Sequence, residues 1–206
     1  GEFADSAGET ADNLVLRALE QFQQVQPDAA VHAHLEKNIP VGAGLGGGSS
    51  DAAAMLRALN TLYHTKLSPE ALQELAAPLG ADVPAAISAA PCFVTGIGQT
   101  ITATPELPAL YACLVYPHAN LSTEACYQAF DGAFHPPSPQ PLEGWWQHVK
   151  DAKNDLTTPA TKLAPVISEV LDALSHTEEA LLVRMSGSGS CCFALYRQLE
   201  QAQDAG

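Results

Sequence analysis

Residues 41–51 have the sequence VGAGLGGGSSD, with five glycines in the seven residues from Gly42 to Gly48. Glycine costs conformational entropy on folding, so this cluster indicates that the bare backbone itself is needed. The apolar pattern that follows predicts a helix over 50–63. Its apolar face consists of Ala52, Leu56, Leu59 and Tyr63. The stretch therefore predicts a glycine-rich loop that leads into the N-terminus of a helix.

A glycine loop before a helix is typical of a site for anions, most plausibly phosphates. Several backbone N–H groups point at one spot there, and the helix dipole adds about half a positive charge. The simpler interpretation is a flexible turn or a helix cap, but five glycines followed by Ser49 and Ser50 exceed what a cap needs. No GK[ST] follows, which excludes a Walker A loop. The GxGxxG match at Gly42, Gly44 and Gly47 is weak, because no hydrophobic strand directly precedes it.

Composition and charge narrow the class of protein. The 206 residues correspond to one domain or two small ones, and the 47% hydrophobic and 16% charged fractions indicate a folded chain. Acidic residues outnumber Lys and Arg by 23 to 9, giving a net charge of −14, so nucleic-acid and membrane partners are not expected. Backbone N–H groups, Mg²⁺ and a few lysines would then have to neutralise bound phosphates.

Cysteine usage and the first residues indicate the compartment. The five cysteines form no CxxC pair, so neither a disulfide framework nor a structural zinc site is expected. The start, GEFADSAGET, has neither the basic nor the apolar region of a signal peptide, and the sequence has no run of about 20 apolar residues. A reduced, cytoplasmic protein is the simplest interpretation.

Helical and strand-like segments are interleaved without a regular strand–helix–strand repeat, which favours an α+β fold. A break near Gly96, Gly98 and the prolines that follow predicts domains over 1–103 and 104–206. The predicted helices cover 11–25, 50–63, 124–130 and 161–175, with another from Ser68-Pro69-Glu70 to Gly80. Pro165 is an alternative start for the helix at 161–175. The predicted strands cover 31–35, 92–95, 99–103, 110–116, 181–184 and 191–196.

The sequence also predicts a helix cap, a half-buried strand and a surface loop. Thr10 or Asp12 is expected to cap the first helix. The strand at 31–35 would bury alternate residues and present two histidines to solvent, too few ligands for a metal site. Four prolines in 131–141 predict a surface loop.

Several segments together resemble the GHMP kinases, the superfamily of galactokinase, homoserine kinase, mevalonate kinase and phosphomevalonate kinase. Residues 40–53 resemble the second motif of that superfamily, and the form GLGGGSSDAAA is similar to a branch that acts on a cytidine diphosphate-linked methylerythritol. The resemblance runs in family order from residue 12 to about residue 196. The supporting segments are DNLVLRA at 12–18, LGADVP at 79–84, GIG at 96–98, NDL at 154–156 and MSGSGS at 185–190.

The resemblance implies a fold and an activity. The first domain would resemble domain 2 of ribosomal protein S5, and the second would be a ferredoxin-like α+β domain. The protein would use ATP and Mg²⁺ to phosphorylate the 2-hydroxyl of 4-diphosphocytidyl-2-C-methyl-D-erythritol in non-mevalonate isoprenoid synthesis, as a monomer or homodimer. The alternatives are a GHMP kinase for another small alcohol, such as homoserine or mevalonate, and a catalytically silent nucleotide-binding module.

Asp82 is the candidate general base. A kinase needs a carboxylate within hydrogen-bond reach of the attacking hydroxyl. Asp82 lies in an otherwise apolar segment, where an acid needs either a partner or a task. The simpler alternative is that it caps the helix that Val83 and Pro84 begin. The residues alone do not separate these two roles, whereas the family resemblance favours the base.

The resemblance also implies the binding residues. Gly187 would let the third motif approach the phosphates, and Ser49 or Ser50 would face Mg²⁺ or simply cap the helix. Tyr127 would stack on the cytosine ring, with a core tyrosine as the alternative. The residues expected to bind ATP are Asn13, Lys37, Pro40, Gly42, Gly44, Leu45, Gly46, Gly47, Gly48, Ser49 and Ser50. The residues expected to bind the second substrate are Asp82, Thr123, Tyr127, Gly187 and Ser188.

One part of the family pattern has no counterpart in this sequence. The family carries an N-terminal motif with a lysine near the transferred phosphate, and no lysine precedes Lys37 here. Either the given sequence omits residues of that segment, or the chain is a fragment without it. A chain without it is expected to turn over ATP poorly and to have open sheet edges and a thinner core in its first domain.

Overall fold

The structure, a computed structural model, describes residues 1–3, 13–104, 106–132 and 144–206. The chain divides into two compact units. The first comprises Gly1–Val41 and Gly46–Thr104, and the second comprises Gly42–Leu45 and Pro105–Gly206. Four residues of the glycine-rich loop thus belong to the second unit, while the residues on either side belong to the first.

The first unit is a cluster of helices with one antiparallel hairpin. Its core contains buried residues from the first, second and fourth helices, among them Phe22, Leu56 and Val83. The helices are α1 (Leu14–Phe22), α2 (Gly47–Leu62), α3 (Pro69–Ala76), which continues as a 3₁₀ turn (Ala77–Leu79), and α4 (Val83–Ile87). The hairpin strands are β1 (Cys92–Thr95) and β2 (Thr100–Ala103).

Side-chain caps set where two of these helices begin. Asn13 Oδ1 accepts a hydrogen bond of 2.9 Å from the N–H of Val15 and so caps α1. Ser68 Oγ caps α3 and Pro69 occupies its first position, as the sequence predicts. The candidate caps Thr10 and Asp12 lie outside the described residues.

The second unit packs helices on a three-stranded antiparallel sheet in the order β3-β5-β4. Its core includes Ile167, Leu174, Met185 and Tyr196. The strands are β3 (Tyr111–Val115), β4 (Leu182–Met185) and β5 (Cys192–Tyr196). The helices are α5 (Thr123–Gln128), α6 (Trp145–Asp151), α7 (Thr157–Leu163), α8 (Val166–Ser175) and α9 (Leu199–Asp204). Helices and short antiparallel sheets together give the expected α+β class.

Several sequence-based boundaries are wrong. α2 begins at Gly47 rather than at residue 50, so Gly47 and Gly48 are helical. The helix predicted over 161–175 is divided into α7 and α8, because Pro165 lacks the N–H that a continuous helix would use. Residues 31–35 pair with no strand in the described part of the chain. Most of the proline-rich stretch lies outside the described residues, and α6 and α9 have no counterpart among the predictions.

The five cysteines are free, as expected. Burial raises the pKa of the Cys113, Cys126 and Cys191 thiols, and burial together with neighbouring Cys191 raises the pKa of Cys192 to about 11. These four thiols therefore stay protonated and unreactive near neutral pH. None of the helices in the described ranges has the length and apolar character that a transmembrane segment requires.

Candidate functional site

The N-terminus of α2 has no side-chain cap. Its N-cap is Gly46, which adopts a left-handed conformation (φ 66°) and makes no side-chain capping bond. The first N–H groups of an α-helix have no partner within the helix, and the dipole makes this end positive. Ser49 and Ser50 lie inside the helix, so the alternative that they are its caps is wrong. An anion placed here would meet unpaired backbone donors.

A partly buried ion pair lies against this end of α2. Lys37 Nζ is 2.7 Å from Asp51 Oδ2, and the two side chains are 10% and 33% exposed. A Cβ on Gly47 would lie 3.3 Å from Lys37 Nζ, so the lysine reaches the first turn of the helix. Asp51 was not among the predicted site residues, although it directly follows the two serines. The pair connects the segment before the loop to the first turns of α2.

Asp51→Asn should lower the free energy of unfolding by about 2 kcal/mol, because it leaves a buried lysine without its counter-charge. Asp131→Asn is the matched control, since Asp131 pairs with Lys162 at 3.5 Å with side chains 81% and 59% exposed. Exposed pairs contribute about 0–1 kcal/mol, so this variant should resemble the wild type. Urea unfolding measures both, and equal midpoints for the two variants would contradict a structural role for the Lys37–Asp51 pair.

In the second unit, residues 42–45 pack on the turn between β4 and β5. The carbonyl oxygen of Gly44 accepts a hydrogen bond of 2.7 Å from Ser186 Oγ, and that of Ala43 accepts one of 3.0 Å from the N–H of Cys191. A Cβ on Gly44 would overlap the carbonyl oxygens of Ser186 and Gly189. The contact therefore requires glycine at position 44, a need that its place in the GLGGGSS pattern does not reveal.

The same turn contacts the start of α5. Thr123 Oγ1 and Ser188 Oγ are 2.8 Å apart, so the structure brings together two residues that the sequence predicts as substrate contacts. Tyr127 lies four residues after Thr123 on the same face of α5 and is 54% exposed. The alternative of a core tyrosine is therefore wrong, and the ring is available to a ligand.

Asn154 holds this turn from its other side. Its Nδ2 donates to the carbonyl oxygens of Met185 (3.0 Å) and Gly187 (2.8 Å), and its Oδ1 accepts from the N–H of Leu156 (3.0 Å). The sequence places Asn154 in the NDL segment without indicating a role for it. A local turn at an asparagine is a recognisable pattern, but nothing local indicates the hydrogen bonds of Asn154 to residues 31 and 33 positions away.

Asp82 occupies the N-cap position of α4, but its side chain makes no capping hydrogen bond and is exposed. Asp82 thus stands at the start of the helix, as the capping alternative has it, but its carboxylate does not act as the cap. Arg57 Nη1, from α2, donates to the carbonyl oxygens of Ala86 (2.9 Å) and Ile87 (3.2 Å) and so fixes the far end of α4. A Cβ on Gly98 would overlap the Ala81 carbonyl oxygen, so the GIG turn packs directly on the backbone beside Asp82.

The remaining predicted residues have separate positions. Asn13 caps α1, and Leu14 Cδ1 lies 3.5 Å from where a Cβ of Gly48 would stand, which places the start of α1 beside the start of α2. Pro40 is half-buried in the first unit and Leu45 is half-buried in the second. Within the described part of the chain, no three His, Cys, Asp or Glu side chains come together as a metal site would need.

Family models match most of the chain. Residues 13–90 match the model described as GHMP kinases N terminal domain, and residues 147–206 match the model described as GHMP kinases C terminal. A solved homoserine kinase from Cytophaga hutchinsonii superimposes with a TM-score of 0.71 at 18% identity, covering 96% of this chain and 70% of that one. At that identity, the match speaks for the fold alone.

Relatives with a higher sequence identity to this chain share the name of one enzyme. The chain is 40% identical to the 4-diphosphocytidyl-2-C-methyl-D-erythritol kinase of Agrobacterium fabrum, over 100% of this chain and 73% of the relative. It is 43% identical to the kinase of the same name from Caulobacter vibrioides, over 95% and 71% of the two chains. A solved 4-(cytidine 5'-diphospho)-2C-methyl-D-erythritol kinase superimposes with a TM-score of 0.81 at 34% identity, covering 95% of this chain and 73% of that one.

Proposed function

The chain belongs to the GHMP kinases, and we propose that it transfers the γ-phosphoryl group of ATP to the 2-hydroxyl of 4-diphosphocytidyl-2-C-methyl-D-erythritol. The observation that carries the proposal is the 40% identity to a kinase of that name over the whole of this chain. The product would serve isoprenoid precursor synthesis. The open, uncapped N-terminus of α2 supports the ATP part of the assignment.

Asp82 is the proposed general base. Its carboxylate takes the proton of the 2-hydroxyl, the freed oxygen forms a bond to the γ-phosphorus in line, and the bond to the β-phosphate oxygen breaks to release ADP. The exposed side chain that caps nothing supports this role, because the carboxylate is free to meet a substrate. The burial of Val83 and Pro84 fixes the helix that begins directly after it.

The glycine loop is the proposed phosphate site. Backbone N–H groups at the start of α2 would stabilise the charge that spreads over the transferring group. Mg²⁺ bound with ATP would neutralise the phosphate oxygens, with the hydroxyl of Ser49 or Ser50 beside it. Lys37 contributes through Asp51, since their ion pair supports the first turns of the helix. Asn13 and Pro40 are proposed to line the nucleoside end.

Residues 104–206 are the proposed substrate domain, and residues 1–103 are the proposed nucleotide domain. The exposed ring of Tyr127 supports stacking on cytosine, because base–aromatic stacking needs one accessible face. Thr123 and Ser188 hydrogen-bond to each other and would offer hydroxyls to the diphosphate. We further propose a cytoplasmic monomer or homodimer with no nucleic-acid or membrane partner, which the net charge of −14 supports.

Substrate-dependent ADP release tests the proposal. The purified protein should release ADP with the cytidyl substrate at a rate well above its background with ATP alone, and not with homoserine or mevalonate. Release with one of those alcohols instead would assign a different GHMP kinase activity. ATP binding by calorimetry without transfer to any alcohol would identify a silent nucleotide-binding module and overturn the kinase assignment.

A further inference from the structure

The side chain of Asn154 hydrogen-bonds to two carbonyl groups of the turn at residues 185–190. We propose that Asn154 is a positioning residue, which keeps this turn in the shape that phosphoryl transfer requires. The inference rests on the proposed function, because the turn contributes Gly187 and Ser188 to the proposed substrate site. Asn154 itself is assigned no contact with ATP or with the second substrate.

The amide of Asn154 serves two carbonyl groups of the turn at once. The Met185 and Gly187 carbonyl oxygens lie 3.0 and 2.8 Å from the same nitrogen. Because both carbonyl oxygens lie near the same nitrogen, the two carbonyl groups point toward one place and their dipoles repel each other. The N–H groups of Asn154 offset this repulsion by donating to both oxygens. The oxygen of the same amide accepts from Leu156 N–H at 3.0 Å, and Leu156 directly precedes α7. Asn154 therefore fixes the turn to the start of that helix.

A displaced turn would move other parts of the proposed site. Ser186 Oγ donates to the Gly44 carbonyl at 2.7 Å, which connects the turn to the glycine loop. Ser188 Oγ and Thr123 Oγ1 are 2.8 Å apart, which connects it to the start of α5. Both connections branch from residues directly next to Gly187, whose carbonyl Asn154 holds. A displacement of about 1 Å at a reacting group can cost about 10²-fold in rate.

The first unit contains a matched asparagine. Asn60 Nδ2 donates to the Leu67 carbonyl at 3.1 Å, and its Oδ1 accepts from Thr65 Oγ1 at 2.6 Å and from Leu67 N–H at 2.9 Å. It ties the loop after α2 to the last turns of that helix, at the opposite end from Gly47. Its hydrogen bonds are as numerous as those of Asn154, but none involves a residue of the proposed site.

Asn154→Asp and Asn60→Asp form the test, because each keeps the size of the side chain and removes its N–H donors. Both should lower the thermal midpoint to a similar extent. At a temperature at which circular dichroism shows both variants folded, N154D should lower kcat by roughly 10- to 100-fold. N60D should keep kcat within about twofold, and the KM for ATP should change by less than about threefold in both.

Asn154→Ser is the second variant, for the case in which N154D does not fold. A serine keeps a side-chain oxygen that can accept from the N–H of Leu156, but it is too short to reach both carbonyl groups, so the same fall in kcat is expected. Wild-type turnover together with equal kcat values for the Asn154 variants and N60D would overturn the inference alone. No ADP release by the wild type with any of the alcohols would overturn the proposed function, and this inference with it.

Discussion

Asp82→Asn should lower kcat by about 10³-fold while the dissociation constant for ATP stays within about twofold. Asparagine has nearly the same shape as aspartate but cannot take the proton of the attacking hydroxyl. Because the Asp82 side chain makes no capping hydrogen bond, the variant should keep the stability of the wild type. Single-turnover ADP formation measures the rate, and calorimetry measures ATP binding.

Asp28→Asn is the control for this experiment. Asp28 is another exposed aspartate of the first unit, and its substitution removes the same charge from a position that is outside the proposed site. It should keep kcat within about twofold, since a charge at the protein surface is largely screened. An Asp82→Asn variant that retains wild-type kcat would show that another group accepts the proton.

Gly44→Ala should destabilise the second unit by about 3 kcal/mol. A Cβ at position 44 would overlap the carbonyl oxygens of Ser186 and Gly189, and the residue also has a φ of 77°. The left-handed backbone costs an alanine roughly 1–2 kcal/mol, and forced repacking adds about 1–3 kcal/mol. For a unit of this size, the midpoint temperature of thermal unfolding should fall by about 15 °C.

Gly42→Ala separates the two contributions. Gly42 has nearly the same φ, 72°, but a Cβ there would meet nothing within 4 Å. Only the backbone conformation should then destabilise the variant, which lowers the free energy of unfolding by about 1 kcal/mol and the thermal midpoint by about 5 °C. Equal melting shifts for the two alanine variants would show that the approach of Ser186 to Gly44 is not a close contact in solution.

The elements that sequence predicts well are those with local signals. Ser68 and Pro69 mark the start of α3 by themselves, and the short apolar runs of 92–95 and 191–196 correspond to strands within one residue. The start of α2 is missed because Gly47 and Gly48 are poor helix formers, and only their surroundings make them helical. Local propensity carries no information about those surroundings.

The sequence indicates only those parts of the candidate site that have a local signal. The glycine loop and Asp82 have patterns of their own, whereas the partners of Lys37 and Asn154 come from other parts of the chain. The prediction of a strand at 31–35 is wrong. Alternation of apolar and polar residues shows that a segment suits a strand, but it does not show whether a second strand is present to pair with it. Long-range pairing is what a pattern within one segment cannot supply.

The assignment of residues 42–45 to the second unit has a consequence for how the protein is made. Ser186 lies 142 residues after Gly44, yet the two share a hydrogen bond. As the chain leaves the ribosome, the glycine loop is exposed long before the turn that it packs on has been synthesised. The loop can take its final shape only after Ser186 has been synthesised, so the proposed phosphate site would be incomplete in a nascent chain until then.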